Sequence, residues 1–134
     1  MGKVHETSIQ VRFCDTDAIG HVNNACFANY SEVGRLEFGK AAGQEITSLI
    51  LARLAIDFRA QINLGDHVVV RTWVERIGRS SVTMKQTILA NGEIAADVGA
   101  VVVYFDYATN RPRELPAGQK KPLEQYLPDM PESE

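Results

Sequence analysis

From Leu54 to Phe105 the chain alternates apolar with polar residues at a period of two, and only short turns interrupt the alternation. Leu54, Ile56, Phe58, Ala60 and Ile62 alternate with Ala55, Asp57, Arg59 and Gln61, the pattern of a half-buried strand. Asn63-Leu64-Gly65-Asp66 supplies a turn, and Val68 to Ile77 reads as a second strand, closed by Gly78-Arg79-Ser80. Val82 to Leu89 is a third strand, and Asn91-Gly92 after it is a strong hairpin signal. Ile94 to Phe105 is a fourth, with Val101-Val102-Val103 apolar on both faces as in a central strand. Connections this short cannot cross over a sheet, so these strands must run antiparallel to their neighbours.

Before this run lie one further strand and one long helix. Over residues 7–14, Ile9, Val11 and Phe13 alternate with Ser8, Gln10 and Arg12. Between Ala25 and Ala42 the spacing changes to three and four, with Phe27, Tyr30, Gly34, Phe38 and Ala41 on one face. Ala25, Cys26, Ala28, Val33, Leu36 and Gly39 occupy the other faces, so the helix is expected to be mostly buried, with small residues that let a sheet approach closely. Asn23 or Asn24 suits the N-cap and Gly43 the left-handed position after the C-terminus. Asp106 to Pro116 reads as a loop, Leu123 to Leu127 as a helical turn and residues 128–134 as a frayed tail. One long helix must bury its apolar surface on one curved sheet, which makes the chain a single α+β domain over residues 1–134.

The stretch between the first strand and the helix is the chemically dense one. Asp15-Thr16-Asp17-Ala18-Ile19-Gly20-His21-Val22-Asn23-Asn24 holds two carboxylates, an imidazole and two carboxamides within ten residues. Asp15 fits a turn or helix-capping role, and Asn23 and Asn24 fit caps. Everything after this stretch reads as scaffold that holds the loop over a pocket. A formal charge of −3 argues against a nucleic-acid footprint, which needs a basic surface. No apolar run reaches a membrane span, and the first residues lack the apolar core of a signal peptide, so a cytoplasmic protein is expected. Cys14 and Cys26 match neither zinc nor redox spacing and read as buried free thiols. His5, His21 and His67 are scattered, so no metal is expected.

The run Arg12-Phe13-Cys14-Asp15-Thr16-Asp17-Ala18-Ile19-Gly20-His21-Val22-Asn23-Asn24, with Tyr30 and Glu32 following, resembles the hot-dog-fold thioesterases of the 4-hydroxybenzoyl-CoA thioesterase type. The likeness continues through Gly65-Asp66, Ile77-Gly78-Arg79-Ser80-Ser81 and Thr109-Asn110-Arg111-Pro112-Arg113-Glu114-Leu115-Pro116. The Pro that this family usually carries near Ile62 to Leu64 is absent. The resemblance implies a hot-dog fold, a five-stranded antiparallel sheet wrapped around one long central helix. It implies hydrolysis of an acyl-CoA or acyl-carrier-protein thioester in a homodimer or homotetramer with sites at subunit interfaces. Coenzyme A enters as part of the substrate and no separate cofactor is implied.

By the same resemblance Asp17 is the catalytic carboxylate, as nucleophile or as general base for water. Asn24, through its backbone N–H at the helix N-terminus, is the expected oxyanion donor. His21 either orients the loop or touches substrate, and Glu32 reaches substrate from the helix. Arg79, Ser80 and Arg113 match positions that contact the nucleotide phosphates, which guanidinium groups bind bidentately. Two other readings compete. One is a hot-dog enoyl-thioester hydratase or dehydratase using Asp17 with His21. The other is a non-catalytic acyl-CoA binder, although the chain carries no obvious output element for a sensor.

Overall fold

A computed structural model describes residues 2–128 of the chain. Its elements in order are β1 (His5–Ile9), α1 (Asn24–Ala41), β2 (Leu49–Phe58), β3 (Val68–Ile77), β4 (Ser81–Ala90), β5 (Glu93–Asp106), β6 (Arg111–Pro112) and α2 (Ala117–Glu124). The sheet runs β1-β3-β4-β5-β2, every pairing is antiparallel, and the two-residue β6 adds a short ladder at the end of β5. Five strands therefore make the sheet that was expected, and α1 lies across it against β1, β3 and β4. β5 is an inner strand, as its apolar run requires, and β1 and β2 are the two edges.

The strand ladders follow the sequence pattern where the alternation is unbroken. Val68, Val70, Thr72 and Val74 of β3 face inward, as do Val82, Met84, Gln86, Ile88 and Ala90 of β4. Asn91 (φ 53°) and Gly92 (φ 83°) form the two-residue hairpin turn, where positive φ at both positions matches the right-handed twist of the strands. The Asn63–Asp66 turn closes without a proline. Asp66 N donates to the Asn63 carbonyl at 3.1 Å and Asn63 N donates to Asp66 Oδ2 at 2.8 Å.

Helix α1 is capped at both ends from its own flanks. The Asn23 side chain accepts from Ala25 N at 2.9 Å. At the other end Gly43 (φ 67°) donates to Lys40 O at 3.2 Å, and Gln44 N donates to Gly39 O at 2.8 Å, a Schellman arrangement. Gly34 sits where a Cβ would come within 2.6 Å of Val70 Cγ1, so this contact admits no side chain.

The core beneath α1 is in two halves. Phe27, Tyr30, Ile62, Val70 and Ile88 pack in one, and Phe38, Val74, Met84, Tyr104 and Leu123 in the other. Between them lies a polar layer. Arg35 Nη1 donates to Ser31 Oγ at 3.0 Å and to Gln86 Oε1 at 3.1 Å, while Gln86 Nε2 donates to Ser31 O at 2.9 Å and Thr72 Oγ1 at 3.1 Å.

Several expectations are corrected. The first strand stops at Ile9, and Phe13–Asp15 forms a 3-10 turn that leaves Phe13 80% exposed. The Asp15 carboxylate takes the Arg12 N–H at 3.0 Å, which draws the chain off the sheet. β2 begins at Leu49, a bulge between Leu51 and Arg53 shifts its alternation by one, and it ends at Phe58. Ile62, beyond the strand, is nevertheless fully buried. The helical turn expected at Leu123 to Leu127 is the tail of α2, which starts at Ala117. α1 is not buried all round: Val33 and Leu36 are exposed, as is Ala41, while Ala42 is buried in its place. Cys14 is exposed and Cys26 partly so, and neither is in a disulfide. Of the tail expected over residues 128–134, residues 129–134 lie outside the described ones.

Candidate active site

The ten-residue loop is held by its own backbone before any side chain acts. Thr16 and Val22 form an antiparallel bridge, and inside it Asp17 N donates to His21 O at 2.7 Å. Gly20 (φ 86°) closes the turn by donating to Asp17 O at 3.2 Å. The loop is fastened to the chain after β2 by a bridge between His21 and Asn63 and by Val22 N donating to Ile62 O at 2.7 Å.

Two carboxylates two residues apart have opposite environments. Asp15 is buried, and its oxygens accept from Tyr30 Oη at 2.8 Å, Arg12 N at 3.0 Å and Arg12 Nη2 at 3.0 Å. Burial pushes the Asp15 carboxyl up, but the Arg12 N–H, the Tyr30 hydroxyl and the Arg12 guanidinium outweigh it and hold the carboxyl below its ordinary range. Burial, and then the bond to Asp15, push the Tyr30 hydroxyl well above the usual phenol range. Cys14 Sγ and Cys26 Sγ each stand 3.9 Å from Asp15 Oδ1, and burial followed by the Asp15 charge raises the Cys26 thiol. Asp15 thus ties the turn to α1, and its carbonyl also receives Asn23 N–H at 2.8 Å.

Asp17 is exposed. Its Oδ1 accepts from Ile19 N at 3.0 Å and His21 N at 3.1 Å, which fixes the carboxylate plane. Oδ2 has no partner among the described residues. Asp17 therefore holds the His21 backbone and not its ring. Just after the bridge, α1 begins, and the Asn24 N–H makes no hydrogen bond among the described residues. It stands at the positive end of an 18-residue helix. Beside it opens a cleft of about 270 Å³ lined by Val22, Asn24, Phe27, Phe58, Arg59 and Gln61, among others. The Phe27 and Phe58 rings meet edge to face with centroids 5.1 Å apart. The arrangement offers an oriented carboxylate oxygen, a free N–H donor and a partly apolar cleft at one end of the helix.

The expected residues fall into two groups. Asp17, His21 and Asn24 come together at the end of the sheet where β3 begins. Arg79, Ser80 and Arg113 come together at the opposite end, since Leu115 N donates to Arg79 O at 2.9 Å and Tyr104 N donates to Ser80 O at 2.7 Å. The ten residues of β3 separate the groups by roughly 33 Å at the usual strand rise. Arg79 is 84% exposed, with Glu114 only at 3.9 Å. Arg113 is engaged within the fold: Nη2 donates to Tyr104 Oη at 2.8 Å, its guanidinium lies 4.5 Å from the Tyr104 ring centroid, and Glu45 is 3.7 Å away. Glu32 sits exposed on α1 between the groups.

Sequence reasoning missed Phe58 as a wall of the cleft, Tyr30 as the tether of Asp15, and Arg35 as a buried cation. The Tyr30 spacing was visible; the others depend on partners far along the chain. Among the described residues no group of three or more His, Cys, Asp or Glu side chains could hold a metal ion. No helix among them is long and apolar enough to cross a membrane.

Comparison with known proteins shows the family. The model of the Thioesterase-like superfamily matches residues 11–123. The acyl-acyl carrier protein thioesterase ATL2, chloroplastic, of Arabidopsis thaliana is 32% identical over 126 residues, covering 87% of this chain and 66% of the plant protein, so the chain spans just under two thirds of that relative. A 1,4-dihydroxy-2-naphthoyl-CoA hydrolase of Synechococcus sp. (strain CC9605) is 30% identical over 134 residues, covering 89% of each chain. The crystal structure of a thioesterase from Thermus thermophilus, complexed with coenzyme A and zinc, superposes with a TM-score of 0.83 at 34% identity, covering 89% of this chain and 90% of that one.

Proposed function

The chain belongs to the thioesterase-like superfamily, a family of thioester hydrolases, and from that premise we propose that it cleaves an acyl-CoA or acyl-carrier-protein thioester in the cytoplasm, with Asp17 as the working carboxylate. The observation that carries this is the Asp17 carboxylate, oriented by two loop amides with Oδ2 left open, close in the chain to the unpaired Asn24 N–H. Oδ2 either attacks the thioester carbonyl, giving an acyl-aspartyl anhydride that water hydrolyses, or removes a proton from the attacking water. In both routes the C–S bond breaks, the thiolate leaves and takes a proton, and the acyl group departs as the acid. The oxyanion formed on attack is met by the Asn24 N–H and the helix dipole. His21 then serves through its backbone, which positions Asp17.

The separation of Arg79, Ser80 and Arg113 from Asp17 supports a site shared between two copies. β2 is an open edge, and antiparallel pairing of two β2 strands about a two-fold axis sets the Phe58 end of one against the Leu49 end of the other. The phosphate-binding group of one copy then approaches the Asp17 of its partner, and Glu32 lies along the path. Exposed Val33, Leu36, Ile50 and Leu51 give this face an apolar character suited to burial. The reading is a homodimer built on β2, able to pair further into a homotetramer.

The test is thiol release from a panel of acyl-CoA and acyl-carrier-protein thioesters, wild type beside Asp17→Asn. Turnover by the wild type, lowered about 10²- to 10⁴-fold in a folded variant, is the expected outcome. Activity above about a tenth of wild type in the variant removes Asp17 from the chemistry. Hydration of an enoyl thioester with no thiol released revives the hydratase reading, and binding without turnover the non-catalytic one.

A further inference from the structure

Arg35 is only 8% exposed, yet no carboxylate among the described residues stands within ion-pair distance of it. A buried charge without a counter-ion is costly, and burial pushes the Arg35 guanidinium down in pKa, offset in part by the Glu32 charge. Nη1 is taken by two neutral acceptors, Ser31 Oγ and Gln86 Oε1. Nε and Nη2 have no partner among the described residues, and neither is a sealed, unsatisfied atom. These two nitrogens form the side-on edge of the guanidinium, whose parallel N–H groups match the two oxygens of a carboxylate.

Arg35 lines a pocket of about 120 Å³ between α1 and the sheet, walled by Leu36, Ile46, Leu51, Met84 and Val102, with exposed Glu32 also in its lining. The pocket lies on the same open seam between α1 and β2 as the Asn24–Phe58 cleft, eleven residues or roughly 16 Å along the helix. We propose that this pocket is a carboxylate subsite, in which the Nε–Nη2 edge of Arg35 holds the carboxylate and the apolar walls hold a short aliphatic body. Two sources share that chemistry: the distal carboxylate of a dicarboxylic acyl group, and a free carboxylic acid such as a reaction product. Glu32 opposes either one by like charge. The acyl source rests on the thioester-hydrolase reading; binding of the free acid does not.

Nitrogen-resolved NMR of the arginine side chains in the wild-type protein, titrated with acetate, butyrate and succinate, reads the site directly. A saturable shift at Arg35 Nε–H is expected, lost in Arg35→Met, weakened about tenfold in Arg35→Lys and strengthened several-fold in Glu32→Gln. A role confined to holding Gln86 and Ser31 would not give the Glu32→Gln effect. In parallel, thiol release compares dodecanedioyl-CoA with dodecanoyl-CoA, chains long enough to reach from the Asn24 cleft to Arg35. A wild-type preference for dodecanedioyl-CoA that falls about tenfold in Arg35→Lys assigns the distal acyl source. Saturable binding of free acids with no such preference assigns the free-acid source. No saturable shift with any acid, together with no preference, overturns the subsite even if thioesters are cleaved. A specific Arg35 shift with no thiol released from any substrate supports the subsite and overturns the hydrolase reading alone.

Discussion

Replacing Tyr30 by Phe deletes one hydroxyl and leaves the shape of the core intact. Tyr30 is 4% exposed, and its hydroxyl donates to Asp15 Oδ2 at 2.8 Å. A hydrogen bond to a charged acceptor contributes about 1.5–3 kcal/mol. Asp15 keeps the Arg12 N–H and guanidinium, each at 3.0 Å, so the carboxylate is not orphaned and the loss should fall in the lower part of that range, ~1.5–2 kcal/mol. The cost also has a pH signature. Although burial alone would raise the Asp15 carboxyl, its hydrogen bonds leave it lowered in the folded chain. A lowered carboxyl contributes stability that is present above its unfolded pKa, near 4, and lost as pH falls through the folded value. Removing the Tyr30 donor moves the folded value upward and shrinks this contribution. Tyr30→Phe should therefore cost its full amount at neutral pH and less once Asp15 is protonated. Urea unfolding of both proteins from neutral pH downward, in steps that pass through the folded Asp15 value, measures how the cost changes. A neutral-pH cost below about 0.5 kcal/mol, or one unchanged in acid, refutes the assignment of Asp15 as an ionised anchor. Because the Asp15 carbonyl also holds Asn23, the variant should lose turnover several-fold while Asp17→Asn loses it without destabilising the fold.

Leu51→Lys places a charge on the exposed β2 edge and should turn the proposed dimer into monomers on light scattering, with thiol release falling alongside; an active monomer would contradict the proposed shared site. Gly92→Ala puts a Cβ at φ 83° in the β4–β5 hairpin and should cost about 1–2 kcal/mol in urea unfolding, with no change in kcat/KM for any thioester.

The parts of the fold that were legible are those whose reasons are local. β3 and β4 carry unbroken alternation over most of their length, and the Asn91-Gly92 turn needs only the two residues that form it. The geometry of the Asp17–Asn24 loop, the proposed site, is legible because its members are neighbours in the chain and its carboxylate is held by its own loop. What stayed hidden depends on distant partners. β2 lost its first residues because Leu49 and Leu51 are out of phase with Leu54, Ile56 and Phe58 across the bulge. Phe13 continued a strand pattern that the Asp15 carboxylate overrides. Arg35 carries no signal of its own on α1, because its acceptor Gln86 comes from β4, and Phe58 reaches the cleft only when β2 folds beside α1.

The bulge at Ala52 has a consequence for which chains can join the sheet. An open edge is a template for any extended segment, and a regular edge would accept many registers, including those that lead to aggregates. Here the edge strand carries one surplus residue opposite β5, so its outward N–H and C=O groups form two short ladders offset from each other. A flat, regular strand can follow one ladder and then falls out of step with the next. A segment that slips at the same place, or ends before it, can follow the edge throughout. The irregularity thus narrows the partners this edge can take, turning away strands of ordinary pitch.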